Sequence, residues 1–283
     1  MGEAEKDVRK GLFGLNSTLI AAVLIYVTVV VAAYLRFGTL PVITLGAVVV
    51  LIMPFIGLAT RSKEFVKNTV LIVAVLLTYE ALQGVTGIVT HSGSATSLAG
   101  VDQALVGSNL VADVQTAFRS SATTFVSTIF YGLHVFLIVI AFVLFWFKDK
   151  AVYRRYTYSL VVTSYLALLT FVAFPTYPPW LARTALGESD KVAAFPSLHA
   201  AYATLFSIFM FKLGRKYGLV SLPILGGVYF SIVYLGQHFL VDLLGGVAYA
   251  SISVYAVDRL MARRRHATEI VSQTGGLAVR ADH

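Results

Sequence analysis

Two uncharged apolar runs, Leu15 to Tyr34 and Leu40 to Thr60, constrain this chain more than any other feature. Each supplies the roughly 20 residues that a helix needs to cross a hydrocarbon core about 30 Å thick. No water reaches that core, so the backbone must satisfy its own hydrogen bonds, and a helix does this within one segment. The rest of the 283 residues is of the same kind: 58% are hydrophobic and 13% charged. A soluble domain carries about a quarter charged residues. The sequence therefore predicts an all-α fold, a polytopic membrane helix bundle.

Apolar stretches bounded by charges or turn residues place about eight spans, near residues 15–35, 40–60, 66–90, 122–147, 157–174, 199–213, 219–236 and 239–260. The first follows Lys6, Arg9 and Lys10, as a secretion signal would. It is longer than a signal core and meets Arg36 without a small-residue cleavage site, so it reads as a retained helix. With the N-terminus inside, only Arg36, Arg119, Arg183 and Lys191 of the 22 basic residues fall on the outer side. Positive charge collects in cytoplasmic loops, and the expected topology is N-in and C-in. The same rule explains the net charge of +8 and the run Arg263–Arg264–Arg265 as a membrane anchor, not a nucleic-acid surface.

Three units are expected. Residues 1–120 are N-terminal helices with an outer interfacial segment, 121–262 a catalytic helical core of six-helix type, and 263–283 a flexible basic cytoplasmic tail. The chain has no cysteine, which excludes disulfides, thiolate metal sites and a cysteine nucleophile. In the outer segment, Val101, Leu105, Leu110, Val111, Val114 and Phe118 are spaced as in a short helix lying in the interface. Further on, P-T-Y-P-P-W at 175–180 rules out a regular helix, and its Tyr177 and Trp180 suit a membrane–water boundary.

Chemistry concentrates in three histidines. His91, His266 and His283 lie in loop or tail, whereas His134, His199 and His238 border the outer half of the membrane. In G-Q-H-F-L-V-D, residues 236–242, His238 and Asp242 are four apart and share a helix face. An ionisable pair at the start of a span is costly to keep without a purpose. A carboxylate on one imidazole nitrogen fixes the tautomer and leaves the other nitrogen as nucleophile or base. A polar cluster that only joins helices is the competing reading. In A-A-F-P-S-L-H-A, residues 193–200, Ser197 is placed to cap a helix whose first amides would bind an anion, with His199 in that turn. One span descends from His199 and one climbs back to His238, so both emerge at the same face. An anion cradle, two histidines and an aspartate together describe a phosphoryl-transfer site.

F-P-S-L-H and Y-L-G-Q-H-F-L-V-D resemble the second and third signatures of the type 2 phosphatidic acid phosphatase superfamily. F-Y-G-L-H at 130–134 and F-P-T-Y-P-P-W at 174–180 resemble its inositol phosphorylceramide synthase-like branch, and the resemblance covers about 124–258. It implies that His238 attacks phosphorus and forms a phosphohistidine, that Asp242 orients it, and that His199 protonates the leaving oxygen. His199 would then activate water or an acceptor hydroxyl, while Ser197 and nearby amides hold the phosphate oxygens. No metal and no cofactor are implied.

The departures matter too. Leu198 stands where the phosphatase pattern has glycine, and Ile232 follows Ser231 where it has arginine. The first signature, Lys-x6-Arg-Pro, is missing from the outer face; Lys148 and Arg155 have its spacing, but on the cytoplasmic side and with no proline after them. Positive charge for a phosphate would then come from Arg183 or Lys191, with Arg119 a third candidate. Tyr177, Gln237 and His134 are expected pocket residues, along with Trp180 and Tyr234, although His134 reads equally as an ordinary bundle histidine.

The expected function is cleavage of a phosphoester of a lipid phosphate or phospholipid at the outer leaflet, with the active site on the extracytoplasmic side of the plasma membrane. The phosphorus goes either to water or, in the manner of an inositol phosphorylceramide synthase, to another alcohol. Expected partners are the bilayer and the lipid substrate, with no nucleic acid. A lipid transporter or flippase also keeps intramembrane ionisable groups, but the sequence shows no internal repeat or paired broken helices of the transporter kind. An inactive scaffold with the same fold is the remaining alternative.

Overall fold

The computed structural model describes residues 62–73, 96–180 and 193–281. The expected spans at 15–35 and 40–60, most of that at 66–90, and both Arg183 and Lys191 lie outside the described residues. Two short outer helices, α1 (Ala99–Val106) and α2 (Leu110–Ala117), precede α3 (Ser121–Lys148) and α4 (Lys150–Ala173). Then come α5 (Leu198–Leu213), α6 (Arg215–Tyr234) and α7 (Leu240–Ala281). Two-residue strands β1 (Thr96–Ser97) and β2 (Thr176–Tyr177) pair in parallel, Thr96 opposite Thr176 and Ser97 opposite Tyr177.

Helix ends follow the polar residues. Ser120 opens α3 by accepting the Thr123 amide at 3.0 Å. Asp149 ends α3 and starts α4 at once, its carboxylate accepting the amides of Ala151 and Val152 at 2.7 and 3.0 Å. One capping residue thus makes the whole turn. α4 starts seven residues before the expected 157, because Lys150, Arg154 and Arg155 extend the helix beyond its apolar part.

Among the described residues, three helical stretches are long and apolar enough to cross a membrane: α4, α6 and residues Leu240–Arg264 of α7. α3 makes a fourth if its halves, Ser121–His134 and Phe136–Lys148, count as one span bent by 51°. α5, at 16 residues, is about 24 Å long. It packs against α3, α4, α6 and α7, so protein and not lipid surrounds it. Fully buried Ala200, Ala201 and Ala203 let those neighbours approach closely. After residue 262 the backbone continues as helix to Ala281. Ala262, Arg263, Arg264, Ala267 and Glu269 are good helix formers, and no proline interrupts them.

Hydroxyl pairs join the helices: Ser164 to Tyr202 at 2.9 Å, Thr170 to Tyr249 at 2.7 Å, Thr204 to Tyr229 at 2.6 Å and Ser207 to Ser221 at 2.8 Å. Such interhelical bonds contribute about 0.6 kcal/mol each on average, so they specify packing more than they drive it. The two ends of the bundle differ in charge. One end holds Lys148, Lys150, Arg154, Arg155, Lys212, Arg215 and Lys216, at the C-termini of α3 and α5 and the N-termini of α4 and α6. There Asp258 meets both Lys212 and Arg155, the latter at 3.6 Å, and Glu64 meets Arg154 at 3.4 Å. Helical residues 63–73 dock at this end, Phe65 packing among Phe142, Trp146 and Tyr153. The Lys148 and Arg155 pair therefore sits at the opposite end of the bundle from the histidines described next.

Candidate active site

At the other end, the start of α5 is built against the start of α7. Thr176 in β2 is fully buried and anchors the approach to α5. Its hydroxyl accepts the Phe195 amide at 2.8 Å and its carbonyl the Ala194 amide at 3.3 Å. A cis Phe195–Pro196 peptide follows. Ser197 then caps α5, its hydroxyl accepting the Ala200 amide at 3.3 Å, while its own amide donates to the Asp242 carbonyl at 2.9 Å. The first-turn amides of Leu198 and His199 have no acceptor among the described residues. Close contact with α7 depends on Gly246, where a Cβ would stand 2.3 Å from the Ser197 carbonyl oxygen.

That contact brings the histidines together. His238 Nε2 lies 3.3 Å from His199 Nδ1. Behind His238, Asp242 Oδ2 stands 3.6 Å from Nδ1 and accepts the Phe239 amide at 2.8 Å. Asp242 is fully buried and His238 is 6% exposed. A separation of 3.6 Å is an electrostatic contact longer than a hydrogen bond, and catalytic contacts often tighten only when substrate arrives. The carboxylate favours the proton on Nδ1, which leaves a lone pair on Nε2, the nitrogen that faces His199.

His134 completes the cluster. Its Nδ1 donates to the Tyr131 carbonyl at 2.7 Å, and its ring centroid lies 3.8 Å from that of His199. Tyr131 stacks on His199 at 4.5 Å with planes 20° apart. Tyr131 and His134 belong to the turn of α3 just before its 51° bend. The structure thus places Ser197, His199, His238, Asp242 and His134 in one cluster.

The other expected residues occupy β2 and the stretch after it, the end of α6 and the loop beyond, and the α2–α3 turn. Tyr177 is half-buried in β2, opposite Ser97. Gln237 is half-buried, and its amide donates to the Ile232 carbonyl at 3.0 Å. Tyr234 bonds Thr124 at 2.9 Å. The Trp180 amide reaches the Gly236 carbonyl at 3.2 Å, which ties P-T-Y-P-P-W to the loop bearing His238. Arg119 is exposed between α2 and α3.

Two residues that the sequence did not single out hold the outer segment to this loop. Asp102 of α1 is only 3% exposed, and its Oδ1 accepts the Val241 amide at 3.0 Å. Burial pushes its carboxyl above the ordinary 3.8, and the charge of Asp242 adds to that; bonds from the amides of Val241 and Leu240 work against it. Gln115 of α2 donates from Nε2 to the Tyr234 carbonyl at 2.9 Å. Asp102 sits between Val101 and Leu105 in the amphipathic pattern, and a carboxylate on a helix expected to lie on apolar surface was the one available clue. Thr176 had none.

Residues 96–256 match the PAP2 superfamily, more than half of the chain, and the protein belongs to that family. Over 192 residues the chain is 24% identical to an inositol phosphorylceramide synthase of Candida albicans, an alignment covering 56% of this chain and 40% of the relative. The chain thus spans less than half the length of that relative. No solved structure matches it. The family match begins at residue 96, so the outer segment is matched together with the helical core.

Proposed function

We propose that this protein cleaves a phosphoester of a lipid phosphate or phospholipid at the outer leaflet through a phosphohistidine on His238. The observation that carries the reading is the pairing of His238 Nε2 with His199 Nδ1 at 3.3 Å, with Asp242 behind the first ring. In the first step the Nε2 lone pair forms a bond to phosphorus and the bond to the leaving oxygen breaks. A proton from His199, protonated when the anionic substrate is bound, passes to that oxygen. In the second step neutral His199 takes a proton from water or an acceptor alcohol, whose oxygen displaces His238 from phosphorus. His199 ends as it began. The amides of Leu198 and His199 at the capped start of α5 suit the phosphate oxygens, and Arg183 or Lys191 would supply positive charge. His134, Tyr177 and Gln237 would line the pocket.

An apolar groove would take the lipid's chains. A groove of about 580 Å³ between α3 and α6 is lined by Phe118, Val126, Phe130 and Phe230. Phe130 adjoins Tyr131, which stacks on His199.

Head-group transfer is the second reading, supported by the similarity to an inositol phosphorylceramide synthase. The two readings share the first step and differ in what remains on phosphorus and in which hydroxyl resolves the intermediate. We read residues 121–262 as the core, with N-terminal helices before it and a flexible basic segment after it, within about eight spans. N-in and C-in orientation, with the basic end in the cytoplasm, puts the site on the extracytoplasmic side of the plasma membrane.

The test is phosphate release from a panel of lipid phosphates and phosphatidylinositol by detergent-purified protein, beside His238→Ala. Each is run with and without inositol or ceramide-like acceptors. Release that vanishes in the variant supports a histidine-dependent hydrolase; products formed only with an acceptor support transfer. No turnover on any lipid by either protein overturns the proposal and favours a transporter or scaffold.

A further inference from the structure

The loop that carries His238 is held from outside at both of its ends. It runs from Tyr234, the last residue of α6, to Leu240, the first of α7. Gln115 Nε2 donates to the Tyr234 carbonyl at 2.9 Å, and Asp102 Oδ1 accepts the Val241 amide at 3.0 Å. Both side chains come from the outer segment, more than a hundred residues earlier in the chain. The loop itself turns at Gly236, whose φ of +67° suits glycine, and a Cβ there would meet Gln115 Nε2 at 3.3 Å. β1 fixes the start of the same segment by pairing with β2. The outer segment therefore forms a bracket across the nucleophile loop.

We propose that Asp102 is a positioning residue for the phosphoryl-transfer step, fixing the first turn of α7 so that His238 faces His199. The inference rests on the proposed function. Three observations carry it. Asp102 is 3% exposed, and the half-buried Val241 donates its amide to it, so the bond is partly withdrawn from water. Val241 stands between His238 and Asp242, and a shift of that turn moves both side chains at once. Asp102 and Asp242 also divide the amides of one helix start, Val241 going to the first and Phe239 to the second. Loss of the Asp102 acceptor would leave the half-buried Val241 amide without its acceptor, and the adjacent Asp242 is a carboxylate that could turn to it. That turn would draw Asp242 away from His238 Nδ1. A misplacement of about 1 Å at reacting groups costs up to about 100-fold in rate.

The experiment measures the rate at which full-length, detergent-purified protein becomes labelled in a single turnover. The probes are phosphatidic acid and phosphatidylinositol, each radiolabelled in its phosphorus. Asp102→Ala is expected to label about 10- to 100-fold more slowly at saturating lipid, with half-saturation unchanged and the same final amplitude per folded molecule. Asp102→Asn keeps an oxygen acceptor and is expected to restore the rate. Labelling of Asp102→Ala at the wild-type rate overturns the inference, as does failure of Asp102→Asn to rescue. If Asp102→Ala does not fold, Asp102→Glu decides, since one added methylene displaces the acceptor. Slow labelling at an unchanged melting temperature supports the inference, and wild-type labelling overturns it. Wild-type protein that labels with neither lipid overturns the functional reading beneath it, a result distinct from wild-type labelling without an Asp102 effect.

Discussion

His238 presents its Nε2 to His199, and the use of that nitrogen depends on where its other proton is kept. Asp242 supplies the answer from 3.6 Å on the Nδ1 side. Replacing it with an amide removes the charge that stabilises an imidazolium and permits the wrong tautomer. Asp242→Asn should lower the rate of phosphoester cleavage by roughly 100-fold or more while leaving lipid binding near wild type, as measured by kcat and KM in the release assay. Asp102 makes a prediction of a different kind. Its carboxyl holds a proton more tightly in the folded protein than its ordinary value of 3.8, mainly because it is buried. Stability from that proton is therefore complete below about 3.8 and is lost as pH rises through the folded-state value. Asp102→Asn carries no such cost. It should melt like wild type in acid and at higher temperature than wild type at pH 7, with equal melting at pH 7 counting against the assignment. Legibility at this scale followed distance along the chain. His238 and Asp242 could be paired from their spacing of four, and Ser197 from its place before an apolar run. Asp102 could not, because its partner Val241 lies 139 residues away and nothing local marks it as a helix cap.

The helices themselves were legible because hydropathy alone decides where a chain can lie in lipid. Expected spans at 122–147, 199–213 and 219–236 correspond to α3, α5 and α6. The bend in α3 was not legible, since no proline marks it and a lone glycine, here Gly132, is common in straight membrane helices. Nor was the division of the outer segment into two helices. It occurs at Gly107, which ends α1 with a φ of +79°. Contact between α5 and α7 is the element-scale condition for the site. Gly246 permits it, and a methyl group there would meet the Ser197 carbonyl at 2.3 Å and Ala201 N at 3.1 Å. Those are backbone atoms that cannot rotate away. Gly246→Ala should cost about 1–3 kcal/mol of stability and slow catalysis, because it parts the two helices that carry His199 and His238. A thermal melt in detergent together with the release assay checks both effects. Unchanged activity would mean that the helix pair tolerates separation.

At the scale of the whole molecule, charge separates the two ends of the bundle and chemistry occupies only one. The basic end holds Asp258 with Lys212 and Arg155, and the other holds the three histidines with Asp242. This asymmetry makes orientation testable in a chain that has no cysteine of its own. Single cysteines replacing exposed Thr116, in α2, and exposed Lys216, in α6, should respond oppositely to a membrane-impermeant maleimide. In intact cells Thr116→Cys is expected to react and Lys216→Cys to react only after lysis; the reverse pattern would put the site in the cytoplasm. The chain belongs to the PAP2 superfamily, and under the proposed function the arrangement of His238, His199 and Asp242 would let it cleave a phosphoester. The most direct measurement is the mass of the adduct on the peptide containing His238, after rapid alkaline quenching of protein turning over phosphatidic acid or phosphatidylinositol. The account predicts an acid-labile adduct on His238, a bare phosphoryl group for hydrolysis or a phosphoryl group still carrying inositol for head-group transfer. Turnover with no adduct on His238, or undiminished turnover by His238→Ala, would contradict it.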